Sequence, residues 1–400
     1  MQDIAAFDLA NPPPGFLDNP FPTYAALLRG APVLRLRDGS VLLSRHADLD
    51  RVYRDTVRFS SDKRAMFAPI FGRDAPLYTH HTNSLVFNDP PLHTRVRRIM
   101  ASALTPRAIA RMEPGLVATV DRLLDRMEHR VDLIEDFAAA IPVEIIGNLL
   151  DVPLSERGPL RDWSLAILGA LEPAPGPEVL ARGNRAVAEF TAYLQGLVAR
   201  RRAAPGDPEV DVLTRLIHGT REGETLSETE LLQNCIFILN AGHETTTNLI
   251  GNTLALLEDF PDQRARLLDD PDLIGPAIEE SLRYLSPNQF GNRQAVEDVE
   301  IGGVGVAAGT VLHLCIGAAN RDPAVFDAPD RFDIARKPNR HLAFAGGPHV
   351  CVGLTLARLE GKVAVSRFLQ RFPSYRLEDA RIAGGRIRFR GYARLEGVVG

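Results

Sequence analysis

Phe344-Ala-Gly-Gly-Pro-His-Val-Cys-Val-Gly353, followed by a helix-compatible run from Leu354 to Phe372, is the stretch from which the rest of this 400-residue chain can be read. Glycines and a proline crowded around one cysteine exclude a regular strand or helix. The backbone is expected to make a tight bulged loop that delivers Cys351 to a helix start. There the unpaired N–H groups of a first turn and the positive end of the macrodipole favour a thiolate, the form that binds metals. A structural zinc site would ask for four Cys or His ligands in paired spacings, and no second cysteine lies nearby. Most lone cysteines beside a helix are small buried hydrophobes. An axial ligand to a porphyrin iron, however, needs only one protein sulfur.

The pattern Phe-x-x-Gly-x-x-x-Cys-x-Gly, with His349 two residues before the sulfur, resembles the cysteine-ligand loop of cytochrome P450, the haem-thiolate monooxygenases. The resemblance implies haem b as cofactor and Cys351 as axial ligand to its iron. It also implies that Phe344 flanks the iron–sulfur bond, that Gly347 and Gly353 let backbone N–H groups approach the sulfur, and that His349 contacts a propionate. Ala345 departs from the pattern, since bacterial members usually carry glycine there. A slightly altered loop is expected rather than a lost site.

Composition is that of a globular chain with an ample core: 45% hydrophobic and 24% charged residues, with 46 Lys plus Arg against 51 Asp plus Glu. The net charge of −5 gives no argument for nucleic acid or an anionic membrane, and no nucleic-acid-binding motif is found. The amino terminus has neither a basic nor an apolar signal region, and no apolar run approaches about eighteen residues, so neither secretion nor a membrane span is expected. Three scattered cysteines, Cys235, Cys315 and Cys351, argue for a reducing cytoplasm. Without linker or repeat, residues 1–400 are expected to form one domain.

Along the chain, 19–30 reads as a short helix, 33–37 and 40–44 as a hairpin around Asp38-Gly39, and 46–55 as a helix. Residues 59–87 show no sustained period and are expected to form a long irregular segment folded over something by Met66, Phe67, Phe71 and Tyr78. Asp89-Pro opens a helix on which His93 and Arg97 share a face suited to an anion, although a solvated basic helix would look the same. Helices are expected over 106–130, 131–150 and 178–202 from apolar recurrence, and over 163–171 before a stiff proline-rich loop. The capping box Ser227-Glu-Thr-Glu230 opens the longest helix, which should run to about Phe260 and reach on the order of 50 Å. Its apolar flanks enclose Asn240-Ala-Gly-His-Glu-Thr-Thr-Thr-Asn248, where Gly242 would let a flat ligand approach and threonine hydroxyls would compete for the carbonyl four residues back. Glu280 and Arg283 stand at a three-residue step that permits a salt bridge. Strands are expected over 289–308 and 310–316, and 386–395 reads as a closing hairpin whose tip enters a pocket.

These elements follow the order found in cytochrome P450. The resemblance therefore implies a mainly α fold with small β-sheets, a triangular prism holding haem between the long central helix and the cysteine-loop helix. It implies that His93, Arg97 and Arg293 hold propionates, that Ala241 and Gly242 face the cofactor, and that Glu244 and Thr245 deliver protons during oxygen activation. Glu280, Arg283 and Arg331 would form a fold-holding network. A small apolar organic substrate would meet Met66, Phe67, Phe71, Tyr78, Leu165, Phe237, Gln289 and Phe290. Because the chain ends soon after the cysteine helix, two electrons from NAD(P)H are expected through a separate ferredoxin and ferredoxin reductase, the ferredoxin docking on a patch with Arg95, Arg98 and Arg340. Two other functions fit the same resemblance: a peroxygenase using hydrogen peroxide, and a non-catalytic haem sensor or carrier.

Overall fold

The computed structural model describes residues 4–208, 211–218 and 225–400. The helix Glu228–Asp259 is its spine. Ser227 caps it as the sequence requires: Ser227 N donates to Glu230 Oε2 at 2.8 Å, and Glu230 N donates to Ser227 Oγ at 3.3 Å. Two N-terminal donors are thereby satisfied reciprocally. Since its apolar residues cover every face, it must be wrapped, and helices Ala140–Leu149, Leu160–Gly169, Pro177–Ala203, Ile274–Tyr284 and Leu354–Arg371 all pack on it. Leu249, Ile250, Leu254 and Leu257 lie in the main core with Ile278 and Phe368 from these neighbours and Phe137 from the turn Leu133–Ala138.

The β-structure is small and lies beside this bundle. Five strands run in the spatial order Val33–Arg35, Val41–Leu43, Val311–Cys315, Phe290–Ala295 and Phe59–Ser60. The early hairpin pairs Val33 with Leu43, and Val41–Leu43 then runs parallel to Val311–Cys315, tying the first tenth of the chain to its last third. Arg376–Ile382 and Tyr392–Val398 form the closing hairpin, extended by Arg130–Asp132. Its tip folds back so that Asn288 bridges Phe389. Among the described residues no helix is long and apolar enough to cross a membrane.

Two expectations about elements are corrected. Residues 59–87 are not irregular: they hold helices Arg64–Phe71 and Pro76–Asn83 and a 3-10 turn Leu85–Phe87. Each helix is only 8 residues long and one contains Pro69, so neither displays a full apolar period. Residues 131–150 are not one helix. Arg130–Asp132 is a strand, Leu133–Ala138 is a π-helical turn, and the α-helix begins at Ala140.

The buried ion-pair network also differs from expectation in one member. Glu280 and Arg283 are almost wholly inaccessible, and Arg283 Nε and Nη2 donate to the Glu280 carboxylate at 2.8 and 2.7 Å. The third guanidinium is that of Arg336, whose Nε lies 3.1 and 3.2 Å from the two oxygens. Arg331 is exposed and contributes only its carbonyl, which accepts from Arg283 Nη2 at 3.0 Å. Asn339 Nδ2 and the Asp333 N–H complete the carboxylate's donors at 3.1 and 3.0 Å. The network staples the helix Ile274–Tyr284 to the loop that leads into Cys351.

Candidate active site

The cysteine loop is held from both ends. Cys351 N donates to Phe344 O at 3.0 Å, closing the bulge, and the following helix starts at Leu354. Gly347 sits at φ +63°, and a Cβ there would meet Tyr53 O at 2.3 Å, so only glycine fits. Ala345 also lies in the left-handed region, at φ +57°. That is why glycine is the usual residue at this place, and why an alanine there carries backbone strain. Ala345→Gly is expected to leave the loop's spectroscopic properties intact and to raise stability by up to about 1 kcal/mol in urea unfolding; a loss of stability would show that the alanine methyl outweighs the strain.

The sulfur opens on a cavity, to which the exposure of Cys351 is owed. Burial pushes the Cys351 thiol up, against the opposing pull of the Gly353 N–H and the Arg97 and Arg358 guanidiniums. The helix start alone therefore does not make the thiolate. A bound metal ion would, because coordination deprotonates a thiol outright. Phe344 lines the cavity beside the sulfur, and Arg358 covers its ring at 4.8 Å while pairing with Glu279 through two bonds of 2.7 Å.

At one edge of the cavity the imidazoles of His93 and His349 stack at 3.8 Å, within reach of the charges of Arg97 and Arg293. Arg97 Nη2 donates to Val350 O at 2.7 Å, which fixes the helix Leu92–Ala103 against the cysteine loop. Both nitrogens of His93, Nε2 of His349 and Nε of Arg293 are buried without a partner. Burial and the two guanidiniums depress both histidines, His93 to about 4 and His349 to about 2. Orphaned donors converging in this way fit a pair of carboxylates.

On the opposite wall the long helix presents Ala241, Gly242 and Thr245. Thr245 Oγ1 donates to Ala241 O at 2.6 Å, the back-bond the threonine cluster suggests. Gly242 has a second reason to lack a side chain: a Cβ there would come within 2.6 Å of Ile146 Cδ1 on the neighbouring helix. Glu244 lies behind the wall and not on it. Its carboxylate is 3.1 Å from Arg386 Nη2, and Arg386 Nε donates to Glu172 at 2.7 Å. Burial raises the Glu244 pKa in spite of that pairing.

The cavity holds about 1770 Å³ of atom-free space, mouth included. Of the residues expected on its substrate wall, only Phe237 is there. Phe67 and Phe71 stand one layer back, packed on His81, and Met66 and Tyr78 are likewise off the wall. Leu165 does not reach the wall, whereas Leu168, one turn further along the helix, and Leu171 do. Gln289 turns its amide back to Ser286 O at 2.6 Å, and Phe290 packs against Tyr24, leaving Pro287, Asn288 and Ile316 to line that side. Residues the sequence reading missed are His80, His81, Glu360 and Arg388. His80 Nδ1 lies 3.1 Å from Gln233 Oε1, and burial takes its pKa down to about 4, so it is a neutral imidazole with polar partners. Glu360, nine residues after the cysteine, is pushed up to about 8 by burial and is therefore a neutral acid bonded to Thr246. An acid spaced nine residues from Cys351 on an otherwise apolar helix face was the available signal.

A sequence profile described as Cytochrome P450 matches residues 176–274 and 272–379. The "Biotin biosynthesis cytochrome P450" of Bacillus subtilis (strain 168) is 36% identical over 370 residues, covering 91% of this chain and 92% of that protein. The chain belongs to the cytochrome P450 family. The "Vitamin D(3) 25-hydroxylase" of Pseudonocardia autotrophica is 38% identical over 368 residues, 90% of this chain and 88% of that one. Among solved structures, P450BioI in complex with an acyl carrier protein ligated to hexadec-9Z-enoic acid superposes with a TM-score of 0.91 at 33% identity, covering 96% of this chain and 100% of that one. This cytochrome P450 is thus a mainly helical, haem-dependent monooxygenase, and the residues present fit that cofactor. One sulfur faces the cavity from a bulged loop, a glycine-bearing helix lines it as well, and unpartnered imidazole and guanidinium nitrogens stand at the edge, where the carboxylates of a haem would fit.

Proposed function

We propose that this cytochrome P450 holds haem b through Cys351, with His93, Arg97, Arg293 and His349 on its propionates, and oxygenates a mainly apolar small molecule seated between Thr245, Phe237 and the tip of the closing hairpin. The cavity carries the reading: its walls are chiefly aliphatic and aromatic, and the candidate ligand sulfur and Thr245 both face into it. When bound, the haem iron supplies the oxygen chemistry, to which a thiolate ligand contributes electron density that favours O–O cleavage. The chain's own part is to hold the substrate and to move protons. Thr245, whose hydroxyl is already oriented by Ala241 O, is the proton-donating alcohol; Glu244, locked to Arg386, acts from behind it through a side-chain swing or one water.

Electrons come from separate proteins, a ferredoxin and its NAD(P)H-dependent reductase. The basic patch proposed for docking must be redrawn, because Arg95 pairs with Glu230 and donates to Thr225 O at 2.9 Å, tying its helix to the start of the long one. Arg340, exposed on the loop that leads into Cys351, remains in the patch.

Thr245→Ala tests the relay. The variant is expected to keep haem and to consume NAD(P)H, while product formed per NAD(P)H falls by about tenfold and peroxide accumulates. Unchanged coupling between NAD(P)H consumption and product would remove Thr245 from this role.

A further inference from the structure

Arg388 is the charge in this cavity that the haem reading does not use. It sits at the tip of the closing hairpin, deep beneath the surface, and what accessibility it retains is toward the cavity it lines. Its backbone is rigid: Arg388 N donates to Glu172 Oε2 at 3.0 Å, and Arg388 O accepts from Gln289 N at 2.7 Å. The guanidinium by contrast is nearly unused, its only hydrogen bond among the described residues being a long one, 3.4 Å from Nη1 to Leu171 O. The charge of Glu172 reaches Arg388, but its oxygens are already taken by Arg386 Nε and by the N–H groups of Ile387 and Arg388.

The surroundings make that guanidinium expensive. Lys63, Arg293 and Arg388 are close enough to repel one another, and Lys63 Nζ is buried with no partner. His81, which also lines the cavity beside Arg388, has an unpartnered buried Nε2. Two haem propionates would balance Arg97 and Arg293. The one carboxyl among the described wall residues is Glu360, a neutral acid bonded to Thr246. A buried cation whose one nearby carboxylate is shared with Arg386 and whose hydrogen bonding is incomplete is costly unless an anion arrives with the ligand.

We propose that the substrate of this enzyme carries a carboxylate, anchored by Arg388 with support from His81, on an otherwise apolar skeleton that extends over the haem. A planar guanidinium pairs with a carboxylate through two parallel hydrogen bonds, and a monoanion is cheaper than a phosphate to bring into a mainly apolar cavity. This rests on the reading of the cavity as the seat of an apolar small molecule and adds the head group that orients it. Hydroxylation is then directed to positions remote from the acid.

The test uses the haem-loaded full chain and the spin-state shift of its absorption spectrum. The probes are decanoic, dodecanoic and tetradecanoic acids, a phenylalkanoic acid and a steroid carboxylic acid, each beside its methyl ester. For at least one skeleton the acid is expected to bind on the order of 10- to 100-fold more tightly than the ester, as a charge-assisted bidentate pair allows. Arg388→Gln should erase that preference while leaving ester affinity and haem content unchanged, and Arg388→Lys should restore part of it. Equal binding of acid and ester in every pair overturns the carboxylate anchor and leaves the apolar cavity standing. Loss of haem or of both ligands equally in Arg388→Gln and Arg388→Lys overturns it too, by making Arg388 a haem or packing residue. No shift with any acid or ester overturns the cavity reading and the anchor together.

Discussion

Glu280→Ala should cost this protein about 3–5 kcal/mol of stability, measured by urea unfolding followed in parallel by circular dichroism and haem release. The carboxylate is fully inaccessible and accepts from Arg283, Arg336, Asn339 and the Asp333 N–H. Removing it leaves two largely buried guanidiniums facing each other without their shared anion. The effect should be felt at the cysteine loop, because the same network pins residues 331–339, which lead into it. A companion measurement separates side chain from backbone. Arg336→Ala should be clearly destabilising, whereas Arg331→Ala, which keeps the carbonyl that Arg283 uses, should stay within about 0.5 kcal/mol of the parent. The reverse ranking would restore Arg331 as the third charge and refute the arrangement described above.

Cys351→Ser should abolish monooxygenase turnover, lowering it on the order of 100-fold or more, since it removes the sulfur donor itself and not an outer partner. The fold should survive, because the sulfur faces the cavity and the loop is held by the Cys351 N–H and by Gly347, neither of which the exchange touches. Haem uptake should persist in part through the His93, Arg97, Arg293 and His349 edge. The variant's reduced carbon monoxide complex should lose the long-wavelength Soret band of a thiolate ligand. A serine variant that kept that band and its turnover would show that the iron is held elsewhere.

The parts legible in the sequence were those whose chemistry is local. A glycine-rich bulge before a helix, a capping box and a threonine cluster inside an apolar helix each constrain their own backbone, so Cys351, Thr245 and the helix Glu228–Asp259 could be located without neighbours. The substrate wall was not legible, because it depends on which way each element is turned. Leu165 and Leu168 lie one turn apart on the same side of one helix, yet only the second lies far enough along it to reach the cavity, and Phe67 reaches only as far as His81. The third guanidinium of the buried network illustrates the same limit. Arg331 and Arg336 lie five residues apart in one loop, and only the path of that loop decides which of them turns inward. Lys63 and Arg388 are more than 300 residues apart in the chain and gain meaning only when the sheet and the closing hairpin bring them together. Glu244 stands between these cases: its place in the motif was visible, and its partner Arg386 was not.

The most direct measurement on the central claim is the absorption spectrum of the haem-loaded, unmodified protein after reduction under carbon monoxide. A Soret band at the long-wavelength position given by a sulfur-anion ligand is the result expected if Cys351 meets the iron. A band at the shorter wavelength of an imidazole-ligated haem, or protein that takes up no haem at all, would contradict it.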